Sequence, residues 1–149
     1  MNSIYNHNSI ALLIDRIEKI TPETKALWGK MNAAQMLQHC KLATDVAFGK
    51  QDLKINFLMK ILGRLLKKKV FYGGGLQKNT PTAKEFIVNY NVDFEKAKQD
   101  LIHNLNRFAN EGIASIKVMN HPFWGKLTYE DWDALLWKHT YHHLEQFGV

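Results

Sequence analysis

The chain contains only one cysteine, Cys40, among its 149 residues. A single cysteine excludes an internal disulfide framework and is typical of a reducing compartment. The sequence also lacks the run of about 20 apolar residues that spans a bilayer, and its N-terminal residues lack the charged and apolar regions of a signal peptide. We therefore expect a cytoplasmic protein with no transmembrane segment.

Apolar residues are plentiful, at 46% of the chain, and the length is that of one ordinary domain. We predict a single domain over residues 1–149. The formal net charge is +6, and much of the positive excess lies in residues 50–78. Such a basic segment could attract anionic lipid, an anionic small substrate or nucleic acid, but the solvated face of an amphipathic helix is the simpler interpretation, and no nucleic-acid partner is expected.

Two segments of the N-terminal half have apolar residues at helical spacing. The first is predicted to begin with Ser9 as its cap and to end near Ile20. The second begins at Asn32, which forms an approximate capping box with Gln35, and runs to about Phe48.

Two further helices are predicted in the C-terminal half. One covers about residues 93–110 and places His103 on its outer face. The other opens at Thr128, where Thr128 and Asp131 have the spacing of an N-terminal capping signal, and it runs to about Gln146.

These four amphipathic helices predict an all-α fold, a four-helix bundle. The short link at 21–31 joins antiparallel neighbours, whereas the stretch at 49–91 is long enough to be a crossover, so we predict an up-down-down-up order. The crossover is predicted to contain an extra basic helix at 53–70, a break at the glycines 73–75, and an extended segment at 86–92.

The outer side of the last helix carries Trp137, Tyr141 and Leu144. Three such side chains should not all face water, so a second packing surface is expected, either against the crossover or against another subunit. A homodimer is therefore one of the two alternatives for covering these side chains.

Three histidines are candidate metal ligands. His139 and His143 stand four residues apart, and a helical wheel turns both towards the core. His39 points inward from the second helix in the same way. Three imidazoles could hold one divalent ion and leave a position open for substrate. The alternative is that each ring is a separate core residue, hydrogen-bonded to a backbone carbonyl or to a side chain such as Gln35.

Other residues are weaker candidates. His142 lies at the edge of the inward sector, and Gln146 lies within it, so both are candidates for a pocket. His121 and Trp124 precede the last helix and are either pocket residues or part of a core plug. Cys40 is expected to be a small buried thiol and not a fourth ligand.

Three motifs carry a family resemblance: residues 28–39 with Trp-Gly-Lys-Met-Asn and Gln-Met-Leu-Gln-His, residues 121–128, and residues 139–149. In these motifs the chain resembles the DinB-like superfamily of metal-binding four-helix bundles, in particular an uncharacterised branch of it. It departs from the common pattern at Leu144-Glu145, where many members have Arg-Gly. Matched by motif, the resemblance implies that His39, His139 and His143 hold the metal.

The resemblance also implies an up-down-down-up bundle, frequent dimers and a divalent metal that is often zinc or nickel. It further implies a thiol-dependent S-transferase, in which the metal holds a low-molecular-weight thiol as a thiolate that attacks a small electrophilic substrate. Two alternatives remain from the residues themselves. One is a metal-dependent hydrolase of a small amide or ester, and the other is a non-catalytic metal-binding or interaction bundle.

Overall fold

The structure is a computed structural model that describes residues 2–80 and 82–149. Met1, at the start of the predicted domain, and Pro81, in the predicted crossover, lie outside the described residues. Within these ranges the chain is mostly helical, with five α-helices. They are α1 (His7–Glu18), α2 (Ala33–Ala47), α3 (Phe57–Tyr72), α4 (Phe94–Glu111) and α5 (Tyr129–Gln146).

Three short elements complete the described parts of the chain. Two of them are 3-10 helices, Lys84–Phe86 and Gly112–Ser115. The third is an antiparallel pair of strands, β1 (Asn120–His121) and β2 (Gly125–Lys126), which precedes α5. The sequence did not predict this hairpin, because strands of two residues carry no periodic signal.

Both predicted capping boxes are confirmed. The Asn32 side chain accepts a hydrogen bond from the backbone N–H of Gln35, and the Gln35 side-chain oxygen accepts one from the backbone N–H of Asn32. Thr128 and Asp131 do the same at the start of α5. These reciprocal bonds satisfy backbone donors that have no partner inside the helix.

The predicted start of α1 is wrong. The cap is Asn6, whose side chain accepts from the Ser9 N–H at 3.0 Å, so Ser9 is inside the helix. Asparagine and serine are both good caps, and sequence alone did not decide between them. The helix ends at Glu18, earlier than predicted, where Lys98 of α4 donates to the carbonyls of Glu18 and Ile20.

The predicted crossover helix is present as α3, but it begins and ends later than the predicted range 53–70. The Asn56 side chain caps α3 by accepting from the Met59 N–H, so residues 53–56 are not helical. The predicted extended segment 86–92 forms no strand within the described residues, and Phe86 belongs to the 3-10 helix Lys84–Phe86. A single turn of this kind is too short to leave a periodic pattern.

One apolar core receives side chains from every α-helix. Its members include Ile10 of α1, Leu37 of α2, Phe71 of α3, Leu101 of α4 and Trp132 of α5. Helix α4 packs on α1 and α2, and α5 packs on α1, α2 and α3. The contact between α2 and α5 matters most for the site, because these helices carry the three candidate ligands.

The outer side of α5 is covered in part by α1. Leu144 is buried, and the guanidinium of Arg16 lies 4.4 Å from the centre of the Tyr141 ring. The expected second packing surface therefore includes α1, a helix of the same chain and not of the crossover.

None of the described helices combines the length and the apolar character that crossing a membrane requires.

Gly63 marks the closest approach between α3 and the hairpin loop. A Cβ atom at this position would overlap the backbone carbonyl of Phe123. We predict that Gly63→Ala lowers the free energy of unfolding by about 1–3 kcal/mol, although alanine in an exposed helix would raise it by about 1 kcal/mol. Urea unfolding followed by circular dichroism measures the change. Gly74→Ala is the control, because its Cβ would meet no atom within 4 Å, and an unchanged or raised stability for Gly63→Ala would contradict the packing.

Candidate metal centre

The three histidines singled out in the sequence meet in one place. His39 of α2 and His139 and His143 of α5 each offer a ring nitrogen, and these nitrogens all lie within 4.8 Å of one another. The ring centres are 4.6–4.9 Å apart. Such a group could hold a metal ion.

The local fold explains why these side chains converge. Residues four apart share one face of α5, so His139 and His143 stand on successive turns. On α2 the neighbours Met36 and Ala43 on the same face are buried in the core, and His39 lies between them. His39 and His143 are 4% and 8% exposed. His139 is less buried as a residue, but its Nδ1 atom is fully enclosed.

The tautomer of His39 is set by the crossover. Its Nδ1 atom lies 2.9 Å from the backbone carbonyl oxygen of Phe86. A carbonyl only accepts, so Nδ1 carries the hydrogen and donates it. The Nε2 atom of His39 then has a free lone pair. This atom lies 3.1 Å from Nε2 of His139.

The tautomer of His143 is set by two successive hydrogen bonds through the Gln146 side chain. The Gln146 amide nitrogen donates to the carbonyl of Trp28 at 2.8 Å, which fixes the orientation of the amide. The Gln146 oxygen therefore faces Nδ1 of His143, at 2.7 Å, and accepts its hydrogen. As in His39, Nε2 is left with a free lone pair.

His139 lacks such a partner. Among the described residues nothing bonds to its Nδ1 atom, although that atom is buried. Because Nε2 of His39 can only accept, Nε2 of His139 must donate to it when no ion is bound, and its own Nδ1 is then an unsatisfied buried acceptor. An ion bound at Nε2 would move the hydrogen of His139 to Nδ1, which would still lack a partner, so this atom does not distinguish the metal-bound from the metal-free state.

A metal ion fits this donor set. Zinc binds imidazole nitrogen at about 2.0–2.1 Å, so two ligands of a tetrahedral ion are about 3.4 Å apart. The pair formed by His39 and His139, at 3.1 Å, is close to that separation, and the wider spacings up to 4.8 Å need ring shifts of about 1 Å. Two of the rings already have the outer hydrogen bonds that usually accompany metal-binding histidines.

The three imidazoles are neutral at physiological pH. Burial lowers the pKa of His143 to about 3, and the nearby His39 ring adds to the effect. Burial likewise lowers the pKa of His39, and that of His139 falls well below its ordinary value because of burial and the neighbouring His143. Neutral imidazole is the form that binds a metal.

The pocket candidates divide into two pairs. His142 is half-buried with its ring centre 5.2 Å from that of His143, and Gln146 bonds directly to His143. His121 and Trp124 have their described contacts elsewhere. The ring of His121 lies 5.4 Å from that of Trp132, and the ring of Trp124 lies 5.1 Å from that of Phe71.

His121 supports the hairpin. Its Nδ1 atom accepts from the backbone N–H groups of Phe123 and Trp124, at 3.0 and 3.3 Å. Cys40 is buried as predicted, with its sulfur 3.8 Å from that of Met36, and burial raises the pKa of its thiol.

Sequence reasoning missed the backbone groups that orient the ligands. Phe86 acts through its carbonyl, which no side-chain pattern reports. Trp28 also acts through its carbonyl, and the adjacent Gly29 has a φ of +83° and would place a Cβ only 2.5 Å from the Gln146 amide nitrogen. The adjacent Trp-Gly pair was the available signal, because glycine is favoured where the backbone is left-handed and closely approached. Gln35, the suggested partner of His39, caps α2 instead.

Two surface cavities are lined by residues away from the three histidines. One, of about 310 Å³, is lined by residues that include Gln38 and Tyr90, and the other, of about 360 Å³, by residues that include His103 and Arg107. Neither is lined by the three histidines.

Comparison with known proteins identifies a family. Residues 6–148 match the family described as "Protein of unknown function (DUF1569)". No curated protein and no solved structure matches the chain.

His121 gives the stability of the fold a dependence on pH, because burial lowers its pKa from an ordinary 6.5 to about 3. Above about pH 6.5 neither the folded nor the unfolded chain holds this proton, so the contribution of His121 is fully present. Between about pH 6.5 and 3 the unfolded chain binds a proton that the folded chain excludes, so the free energy of unfolding falls by up to about 1.4 kcal/mol per pH unit.

We predict that His121→Asn, which keeps an acceptor but does not titrate, makes the free energy of unfolding less dependent on pH. The slope should fall by the contribution of about one bound proton. Urea unfolding at a series of pH values measures it. His103→Asn, at an exposed position on α4, is the control substitution. Equal slopes for His121→Asn and the unmodified protein would show that the folded chain does not exclude this proton.

Proposed function

We propose that this chain, which belongs to the DUF1569 family of proteins of unknown function, binds one divalent metal ion through His39, His139 and His143 and uses it in a thiol-dependent S-transferase reaction. The observation that carries the proposal is the convergence of three buried, neutral imidazoles, two of them already held in the tautomer that leaves Nε2 free. Zinc or nickel is the metal that the DinB-like resemblance implies, and imidazole suits both, as it also suits copper and iron.

The donor set supports a thiol as the species that is activated. All three ligands are neutral, so a bound divalent ion would keep its full charge and favour an anionic sulfur in its open position. Phe86 and Gln146 hold the His39 and His143 rings in the tautomers that metal binding needs, so the remaining reorganisation is a ring shift of about 1 Å.

His142 is the proposed acceptor of the thiol proton. Burial lowers its pKa, so its ring is neutral at physiological pH, and its ring centre is 5.2 Å from that of His143. The thiol proton passes to this imidazole, and the sulfur forms a bond to an electrophilic carbon of a small substrate. The leaving group departs with the electrons of the bond that breaks.

The fold supports a DinB-like relationship, which we also propose. Helices α1, α2, α4 and α5 would be the four helices of an up-down-down-up bundle within a single domain, with α3 in the crossover between α2 and α4. The contacts of α4 with α1 and α2, and of α5 with the same two helices, support this arrangement.

A metal-binding protein without catalytic activity is the second candidate. It is favoured by the burial of the candidate ligands and by the position of the two surface cavities, which the histidines do not line. A hydrolase ranks lower, because the group that converges contains no carboxylate to serve as a base.

Metal binding is tested first. We predict that the metal-free protein takes up about one Zn²⁺ or Ni²⁺ per chain in a calorimetric titration and that His143→Ala abolishes the uptake while the helical circular dichroism persists. Gln146→Leu should weaken binding about 10- to 100-fold, since it removes the hydrogen bond that orients His143. His103→Ala is the control with an exposed histidine. Full stoichiometry in a variant with alanine at all three ligand positions would refute the site.

Thiol dependence is tested separately. The metal-loaded protein is assayed with several low-molecular-weight thiols and a generic electrophile, with product formation followed by mass spectrometry. We expect turnover that requires both the thiol and the metal and is lost in His143→Ala, and a reduced rate in His142→Phe with metal affinity retained. Ester or amide cleavage without thiol would favour the hydrolase, and metal binding without any turnover would favour the second candidate.

A further inference from the structure

Helix α3 turns large apolar side chains towards solvent. Phe57, Leu58 and Leu65 are 78%, 74% and 74% exposed. On a helical wheel at about 100° per residue, these three fall within about 100° of one another. Ile61 and Leu62 are also exposed and lie in or beside the same sector. We call the sector defined by Phe57, Leu58, Ile61, Leu62 and Leu65 the α3 face.

The opposite side of α3 is firmly attached. The buried Phe71 belongs to the core, and Gly63 lies against the Phe123 carbonyl. Asp131 of α5 forms an ion pair with Lys67 at 2.6 Å. It also accepts a hydrogen bond from the Tyr72 hydroxyl at 2.5 Å. The helix is therefore held with its α3 face outward, and packing against its own chain does not cover that face.

The charge around this face has one sign. Residues 53–84 contain eight lysines and arginines and no acidic residue. This exceeds the formal net charge of +6, so the rest of the chain is net negative. Four of the cations on α3 are exposed. On the same wheel Lys60 and Arg64 lie beside the α3 face, whereas Lys68 and Lys69 fall within its sector.

We infer that the α3 face docks on the surface of an anionic lipid bilayer. A helix whose exposed side combines apolar side chains with cations, and which has no acidic residue, lies in the plane of the interface, with its apolar side chains among the acyl chains and its cations at anionic headgroups. No described helix has the properties needed to cross a bilayer, so the contact is peripheral. This inference does not depend on the metal centre.

Two other occupants fit less well. Nucleic acid would engage the cations through its phosphates, but it would leave Phe57, Leu58 and Leu65 without apolar partners. A second copy packed through the same face would bring the five cations of each α3 against those of the other. Only an anionic apolar surface matches both features.

The test is flotation of the full chain with vesicles of phosphatidylcholine, with and without phosphatidylglycerol. We expect binding to the anionic vesicles at least about tenfold stronger than to the zwitterionic ones, and weaker binding as salt is raised. Equal binding to both kinds of vesicle, or binding to neither, would overturn the inference.

Paired variants separate the apolar and the charged contributions. The double variant Leu58→Glu, Leu65→Glu should weaken binding by at least about tenfold, and Leu12→Glu, at an exposed leucine of α1, should change it little. The double variant Lys60→Gln, Lys68→Gln should lower affinity about fivefold per lysine, with Lys25→Gln, Lys30→Gln as the control. Circular dichroism confirms that each variant folds. Binding that survives both α3 double variants would refute the assignment to this face.

A fluorescent reporter tests insertion directly. Because Cys40 is buried, a cysteine introduced as Leu58→Cys can be labelled selectively with an environment-sensitive dye. The emission should shift to the blue on anionic vesicles, and the same dye at Leu12→Cys should not respond. Sedimentation that shows a dimer dissociated by Leu58→Glu, Leu65→Glu would assign the face to a second copy instead. Duplex DNA binding that this variant retains, with no shift on vesicles, would assign the cations to nucleic acid.

Discussion

The arrangement of the site depends on one constraint, which is that three imidazole rings buried between α2 and α5 need partners for all their nitrogens. Two outward Nδ1 atoms have them, in the Phe86 carbonyl and the Gln146 side chain. The third, on His139, has none among the described residues. The inward nitrogens face one another, and a common metal ion is the group that would satisfy them together.

This constraint connects the site to two loops that contribute no candidate ligand. The turn at Lys84–Phe86 is fixed at His39 through the Phe86 carbonyl, and the loop at Trp28 is fixed at Gln146. The backbone N–H of Leu27 also donates to the Gln146 carbonyl at 2.7 Å. A shift in either loop would therefore change the orientation of a candidate ligand ring. The orientation of the rings depends on the whole chain. The α3 face belongs to a different part of the molecule, the basic crossover, so the proposed membrane contact and the metal centre can be altered independently.

The helix start and the short elements that were not predicted share a physical origin. The starts of α2 and α5 were predicted correctly, because a capping box is a local pattern of two residues three apart. The start of α1 was not, because Asn6 and Ser9 are both competent caps and the choice between them lies in packing. The crossover was recognised from its length, but its 3-10 turn and the β1–β2 hairpin are too short for periodicity to reveal.

The sequence by itself determined which histidines face inward, since the helical period of about 3.6 residues fixes the side of a helix on which a residue lies. It therefore singled out His39, His139 and His143 before any fold was known. Only the tertiary structure decided how these rings are oriented, because their partners are remote in the chain. Phe86 is 47 residues from His39, and Trp28 is 118 residues from Gln146. Backbone carbonyls are present at every residue, so which of them meets a given ring follows only from the packing of the whole fold.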